Sequence, residues 1–252
     1  MKFSKYEYIA FIDADCVAPT DWLEILTDEF KTAKHLDNKV VATGGANLPP
    51  EESDKFLKAL NLAQDSYLGS FNSAQGRKFK ERRYVPSLAN LNVLYLKSAI
   101  IEVGNYDESL ASDAEDADMN FRLKKAGWRF VFVPRSFVWH RFRPDASRWF
   151  KNMFRYGRGR ARLLKRYPDM WSISYALPIV FAFAMISIPF SVISPYFILS
   201  MTYFPMIIVF SLVLCLYKGS VSLLFQVIAI FLIQHFGYAA GELYGLINPK
   251  VK

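Results

Sequence analysis

Apolar and polar residues change rhythm several times along this chain, and each change marks an element. Tyr8-Ile9-Ala10-Phe11-Ile12 is a short unbroken run of aromatic and β-branched residues, the pattern of a buried strand. After Pro19-Thr20-Asp21 the period becomes helical: Trp22, Leu26, Phe30 and Ala33 share one stripe, with Asp21 and Glu24 at capping-box spacing. Lys39 to Thr43 reads as a second strand, closed by Gly44-Gly45. Phe56, Leu60, Ala63 and Tyr67 predict a second helix starting at Ser53. Gly76 to Arg83 is a basic, loop-like stretch. Leu91 to Leu96 is the next strand pattern, followed by a short helix ending at Gly104 and a turn at Asn105-Tyr106-Asp107. Ser112 or Asp113 caps a helix running to about Ala126, with Gly127 beyond its end. Trp128 to Val133 and Ser136 to Trp139 read as two strands flanking Pro134. Strands alternating with helices predict an α/β fold.

Beyond this point the rhythm changes again. Arg148, Lys151, Arg155, Arg158, Arg162 and Lys165 recur every three or four residues opposite Phe150, Phe154, Ala161 and Leu164, the pattern of an amphipathic basic helix at a membrane surface. Gly157 and Gly159 interrupt it and predict a kink or a close approach to a ligand near Tyr156. From Trp171 onward the chain is almost wholly apolar, with spans expected at about 172 to 193, 196 to 217 and 221 to 247, each long enough to cross a bilayer. The expected division is an α/β part at 1–147, an interfacial helix at 148–170, and an all-α transmembrane region of two to three spans at 171–252.

Composition sharpens this picture. Of the 252 residues, 52% are hydrophobic and 21% charged, and the apolar surplus sits in the last third. The formal charge of +8 is local too. Residues 141 to 166 hold ten Lys or Arg against Asp145 alone, so the rest of the chain is close to neutral and nucleic acid is excluded as a partner. Basic residues just before an apolar span mark the cytoplasmic side and meet anionic lipid, which predicts a multi-pass protein of the cell membrane with residues 1–170 in the cytoplasm. Three full crossings would leave Lys250 and Lys252 outside, against that tendency, and one re-entrant or interfacial segment would remove the conflict. Met1 to Tyr8 has no signal-peptide character. Cys16 lies beside acids and Cys215 within a span, so no disulfide is expected, and Cys16 reads as a small buried residue.

Two acidic clusters carry the candidate chemistry. Asp13-Ala14-Asp15 stands at the polar end of the first strand, where residues two apart share a face and two carboxylates can hold one hard divalent cation. Ligands bind at that edge of an open α/β sheet. Downstream, Asp113, Glu115, Asp116 and Asp118 are more carboxylates than a helix start needs, and a carboxylate in such company can act as a base. His140 follows at the end of a strand.

In order along the chain, Asp13-Ala14-Asp15, Asn105-Tyr106-Asp107-Glu108-Ser109-Leu110, Glu115-Asp116-Ala117-Asp118, Arg122-Leu123, Ala126-Gly127-Trp128, Val133-Pro134, His140 and Phe154-Arg155-Tyr156-Gly157-Arg158 resemble a family 2 glycosyltransferase of the GT-A fold. The likeness is to the membrane-bound subgroup that builds exopolysaccharides and lipid-linked glycans. The resemblance implies a partial, Rossmann-like GT-A domain ahead of the transmembrane region. It assigns Asp13 and Asp15, with His140 assisting, to Mg2+ or Mn2+ on the donor diphosphate, and Asp116 to the base that deprotonates the acceptor. Glu115, Asn92, Arg155 and Arg158 would contact substrate. It further implies inverting transfer from a nucleotide-sugar donor to a glycan or lipid-linked acceptor in surface polysaccharide assembly. Two departures stand out. The family's first βαβ units, which hold the nucleotide base, are not in this sequence. That raises the alternative of a membrane-anchored accessory subunit, inactive by itself or completed by a separate chain that supplies the missing half. Leu96 also stands where relatives carry arginine, on the acceptor side. The string Asp13-Ala14-Asp15-Cys16-Val17 resembles the nucleophile motif of haloacid dehalogenase-like phosphatases as well, but that superfamily needs a later lysine and an acidic pair on a following strand, whereas Glu115-Asp116 opens a helical pattern.

Overall fold

The apolar run after Glu7 forms strand β1 (Tyr8–Phe11), and the acidic residues behind it end the strand in a turn that leads to the two-residue strand β2 (Cys16–Val17). A computed structural model describes residues 4–70, 73–74, 76–110, 114–140, 145–194 and 202–248. Helix α1 (Trp22–Leu36) buries Trp22, Leu26, Phe30 and Ala33, the four residues of its predicted stripe. Strand β3 (Val40–Leu48) continues through the two glycines expected to end it. The sheet leaves those positions no room, since a Cβ on Gly44 would lie 2.5 Å from the Asn92 carbonyl oxygen and one on Gly45 1.8 Å from that of Ser136. Here glycine marks close backbone approach, not termination.

After β3 the chain forms α2 (Lys55–Gln64) and α3 (Tyr67–Ser70), then β4 (Arg83–Val85), β5 (Val93–Leu96), α4 (Lys97–Glu102) and α5 (Glu115–Lys125). The helix expected from Ser53 begins at Lys55 and is capped by Asp54, which accepts from the Leu57 amide at 2.8 Å. Strand β6 (Arg129–His140) is one strand where two were expected. Its register against β3 jumps between Gly44↔Phe132 and Ala46↔Phe137, so the extra residues around Pro134 bulge out and pairing resumes beyond them. The sheet order is β1-β5-β3-β6-β2, with β4 also on β6; among the described residues only the β3–β6 pair is parallel. Among the described residues β1 is therefore an edge strand, and all four of its side chains are half-buried.

Two units result. One comprises Met1–Glu52 and Asn72–Phe142 and contains the sheet, α1, α4 and α5; the other comprises Ser53–Phe71 and Arg143–Lys252. Thus α2 and α3, expected inside the α/β part, belong to the helical unit. That unit adds α6 (Ala146–Arg166), α7 (Ile173–Ser187), α8 (Tyr203–Tyr217) and α9 (Leu224–Ile247). Gly157 does not kink α6. It lets α9 approach, because a Cβ there would lie 2.0 Å from the Tyr238 carbonyl oxygen. Gly241 answers from α9 at 2.0 Å from the Phe154 carbonyl oxygen, and Gly237 and Gly245 extend the seam at four-residue spacing.

Candidate active site

The acidic turn owes its shape to the chain reversal after β1. Asp13-Ala14-Asp15-Cys16 closes with the Cys16 amide donating to the Asp13 carbonyl at 3.0 Å, so the two aspartates straddle a turn instead of alternating along a strand. β2 then pairs Cys16 directly opposite His140 at the end of β6. That register brings His140 Nε2 within 3.4 Å of Asp15 Oδ1, and the ligand atoms of Asp15, Cys16 and His140 all lie within 4.8 Å of one another. Burial, then the Asp13 and Asp15 carboxylates, pushes the Cys16 thiol up to about 12, so it is protonated at neutral pH and no ready nucleophile. Carboxylate and imidazole donors fit a divalent cation such as Mn2+ and accept Mg2+. One step along the β2–β6 pair, where successive side chains change faces, Val17 and Trp139 line an open depression of about 390 Å³ with Pro50 and Glu51.

The second cluster is held by a different scaffold. Ser112 and Asp113, the expected caps, lie outside the described residues, and the helix itself begins at Glu115. Asp118 is fully buried and receives Arg122 Nε at 2.8 Å and Nη2 at 2.5 Å, while the same guanidinium donates to the carbonyls of Val103 and Asn105. Asn120 accepts from the Tyr95 hydroxyl at 2.6 Å and donates to the Leu88 carbonyl at 2.6 Å. These bonds fix the first turn of α5 and with it Glu115 and Asp116. Burial, with the Asp116 charge adding to it, raises the phenols of both Tyr95 and Tyr106 above their ordinary range. Phe11, the last residue of β1, packs edge-on against both rings, at 5.9 Å from Tyr95 and 5.6 Å from Tyr106. Two residues beyond Phe11 stands Asp13. Phe11 thus joins the strand that leads into the acidic turn to two phenols that feel the charge of Asp116.

Asn92 departs from its expected role. It is 1% exposed, and its Oδ1 accepts from Trp22 Nε1 at 2.8 Å and from Ser136 Oγ at 2.9 Å while its Nδ2 donates to the Ala46 carbonyl at 2.9 Å. With both acceptor positions engaged in the core, it braces α1, β3 and β6 and offers no surface to a substrate. Arg155 and Arg158 stand half-buried on α6 in the helical unit. Asp118, Asn120 and Arg122 were missed as supports of the site. The Asp118/Arg122 spacing of four was the signal available, while the Asn120–Tyr95 bond joins residues 25 apart and leaves no local trace.

The chain is similar to several named proteins. It is 30% identical over 165 residues to a pre-mycofactocin glycosyltransferase of Mycobacterium tuberculosis, covering 65% of this chain and 33% of that protein. It is 30% identical over 181 residues to the succinoglycan biosynthesis protein ExoA of Rhizobium meliloti, covering 70% and 50%. It is 23% identical over 166 residues to a poly-beta-1,6-N-acetyl-D-glucosamine synthase of Staphylococcus aureus, covering 66% and 38%. The matched region thus spans a third to a half of the length of these relatives. The model of glycosyl transferase family group 2 matches residues 8–218, which include the acidic turn, α5 and the whole sheet, and the chain belongs to that family.

Proposed function

We propose that this chain transfers a sugar, with inversion, from a nucleotide-sugar donor to a glycan or lipid-linked acceptor at the membrane face, in surface polysaccharide assembly. The observation that carries this reading is the cluster of Phe11, Tyr95 and Tyr106, which links the Asp13–Asp15 turn to Asp116. Asp13, Asp15 and His140 would hold Mg2+ or Mn2+, whose charge neutralises the departing diphosphate. Asp116 accepts the proton of the acceptor hydroxyl as that oxygen attacks the anomeric carbon. Glu115 lies beside it for hydrogen bonding to sugar, and Arg155 and Arg158 offer guanidinium groups to diphosphate or acceptor. Asp118, Arg122 and Asn120 keep the base in place without touching substrate.

A second reading is favoured by the edge position of β1. A strand whose side chains are half-buried on both faces suits the interior of a sheet, so a separate chain carrying the nucleotide-binding half would find its place there, with this chain as a membrane-anchored accessory subunit. The two readings part in one assay: full chain in detergent with Mn2+ and nucleotide sugars, compared with Asp13→Ala and Asp116→Asn. Loss of a general base lowers turnover by about 10²- to 10⁴-fold, and that loss is expected in Asp116→Asn. Equal rates in all three proteins would remove the catalytic reading and leave the accessory one.

A further inference from the structure

Helix α9 has the length and apolarity of a membrane span, yet its neighbours are not those of a helix in lipid. At its N-terminal end Lys218, in the turn that precedes it, pairs with Asp65 at 2.7 Å, and α2 packs along the following turns. In its middle Gln234 donates to the Gly69 carbonyl, and His235 Nε2 contacts the Leu68 carbonyl at 3.1 Å while its Nδ1 meets the Tyr203 hydroxyl at 2.9 Å. From Gly237 to Gly245 it lies backbone to backbone on α6, and beyond its last turn Lys165 donates to the Asn248 carbonyl at 3.0 Å. From one end to the other, α9 is touched by residues 55–70 or by α6, while α7 and α8 pack on it as well.

Neither of the two polar neighbours can enter hydrocarbon. Residues 53–71 leave β3 and return toward β4 and carry Lys55, Lys58 and Asp65, and α6 carries eight Lys or Arg in 21 residues. Charges at bilayer depth are costly, and these are too many to snorkel out. A helix clamped along its length by such partners stays at their depth. α9 exposes Phe225, Leu246 and Ile247 near its two ends, and the longer apolar surface lies on its neighbours: Val180, Phe183 and Ile186 of α7, Val192 and Ile193 after it, and Val209 and Val213 of α8 are all exposed. α7 starts beside α6, where the Arg160 guanidinium stacks 4.1 Å over Tyr175, and α8 ends at Lys218, so both ends of this apolar pair are tied to polar helices.

We infer that α9 does not cross the bilayer but lies along its surface as a platform beneath α2, α3 and α6, with α7 and α8 facing the lipid, so that Asn248 is on the same side of the membrane as residues 53–71. This rests on the reading that the helical unit docks on a bilayer, with α6 meeting anionic lipid, and it resolves the conflict that three crossings create for the C-terminal lysines.

The test uses the full chain in sealed vesicles, with Cys16 and Cys215 replaced by Ser and single cysteines introduced as Lys58→Cys, Ser220→Cys or Asn248→Cys, each exposed to a membrane-impermeant maleimide. All three are expected to label to the same extent, within about twofold, before detergent is added. Labelling of Asn248→Cys only after detergent, while Lys58→Cys and Ser220→Cys label freely, would overturn the inference and restore α9 as a span. Release of the chain from vesicles by alkaline carbonate would instead overturn the bilayer reading beneath it. Labelling of every variant in detergent checks that each chain folds with its cysteine accessible.

Discussion

Asn92 shows how a residue can belong to a motif and still serve the core. Its side chain joins Trp22, Ser136 and the Ala46 carbonyl, so Asn92→Ala leaves a buried indole N–H and a buried hydroxyl without an acceptor. Each such orphaned group costs about 1 to 3 kcal/mol, and a loss of about 2 to 3 kcal/mol is expected in denaturant unfolding of the detergent-solubilised chain. The acceptor KM of the molecules that remain folded should be unchanged. An unaltered unfolding midpoint with a raised KM would return Asn92 to the substrate. At this scale the candidate carboxylates Asp13, Asp15, Glu115 and Asp116 stand out in the sequence by number and spacing. Their supports do not, since Tyr95 meets Asn120 and Trp22 meets Asn92 through folds of the chain that no local pattern records. At Asp13 and Asp15 a turn, closed by the Cys16 amide, takes the place of the expected strand alternation.

Elements were readable wherever one face had to be apolar. In the stripe of α1 period and burial agree residue by residue, and the run of β1 forms its strand, though at an edge where its side chains are half-buried and Ile12 is exposed. The errors fall on glycine and proline. Gly44-Gly45 and Pro134 were read as breaks, but both lie within long strands, because a parallel pair with a bulge absorbs the proline and close sheet packing requires the glycines. Gly157 predicts a kink or a close approach to a ligand, and it serves instead as half of a helix contact whose other half, Gly241, lies 84 positions away. That contact makes a strong prediction. A Cβ at Gly241 would sit 2.0 Å from the Phe154 carbonyl oxygen, and backbone on both sides leaves nothing to rotate aside. Gly241→Leu should separate α6 from α9 and lower stability by about 3 kcal/mol or more, at the upper end of overpacking costs. The readout is thermal unfolding in detergent, and a shift no larger than that of Ala240→Leu on the exposed side of the same helix would show that the seam is loose.

At the scale of the whole chain, composition separated an α/β part from an apolar end, but it could not show that residues 53–71 cross that division. The hydrophobic stripe of α2 is compatible with a sheet or a helix as its partner, and only the tertiary contacts with α9 decide between them. Charge distribution was legible and has a consequence of its own. Apart from residues 141 to 166 the molecule is close to neutral, so its long-range attraction to an anionic surface comes almost wholly from α6 and the segment before it. Each Lys or Arg near such a surface contributes about 1 kcal/mol, and Lys151→Glu with Arg166→Glu exchanges two attractions for two repulsions, about 4 kcal/mol in all at low salt. Lys151 and Arg166 are both exposed, and neither lies on the α6–α9 seam, so the fold should survive the exchange. Binding of the detergent-diluted chain to vesicles rich in phosphatidylserine should therefore fall by about two to three orders of magnitude for the double variant. Binding to neutral phosphatidylcholine vesicles, which depends on the apolar side chains of α7 and α8, should stay within about twofold. Raising the salt from 0.05 to 0.5 M should shrink the difference between variant and parent, because screening shortens the reach of the field. A double variant that binds anionic vesicles as tightly as the parent would mean that α6 faces protein and that the apolar helices alone hold the chain to the membrane.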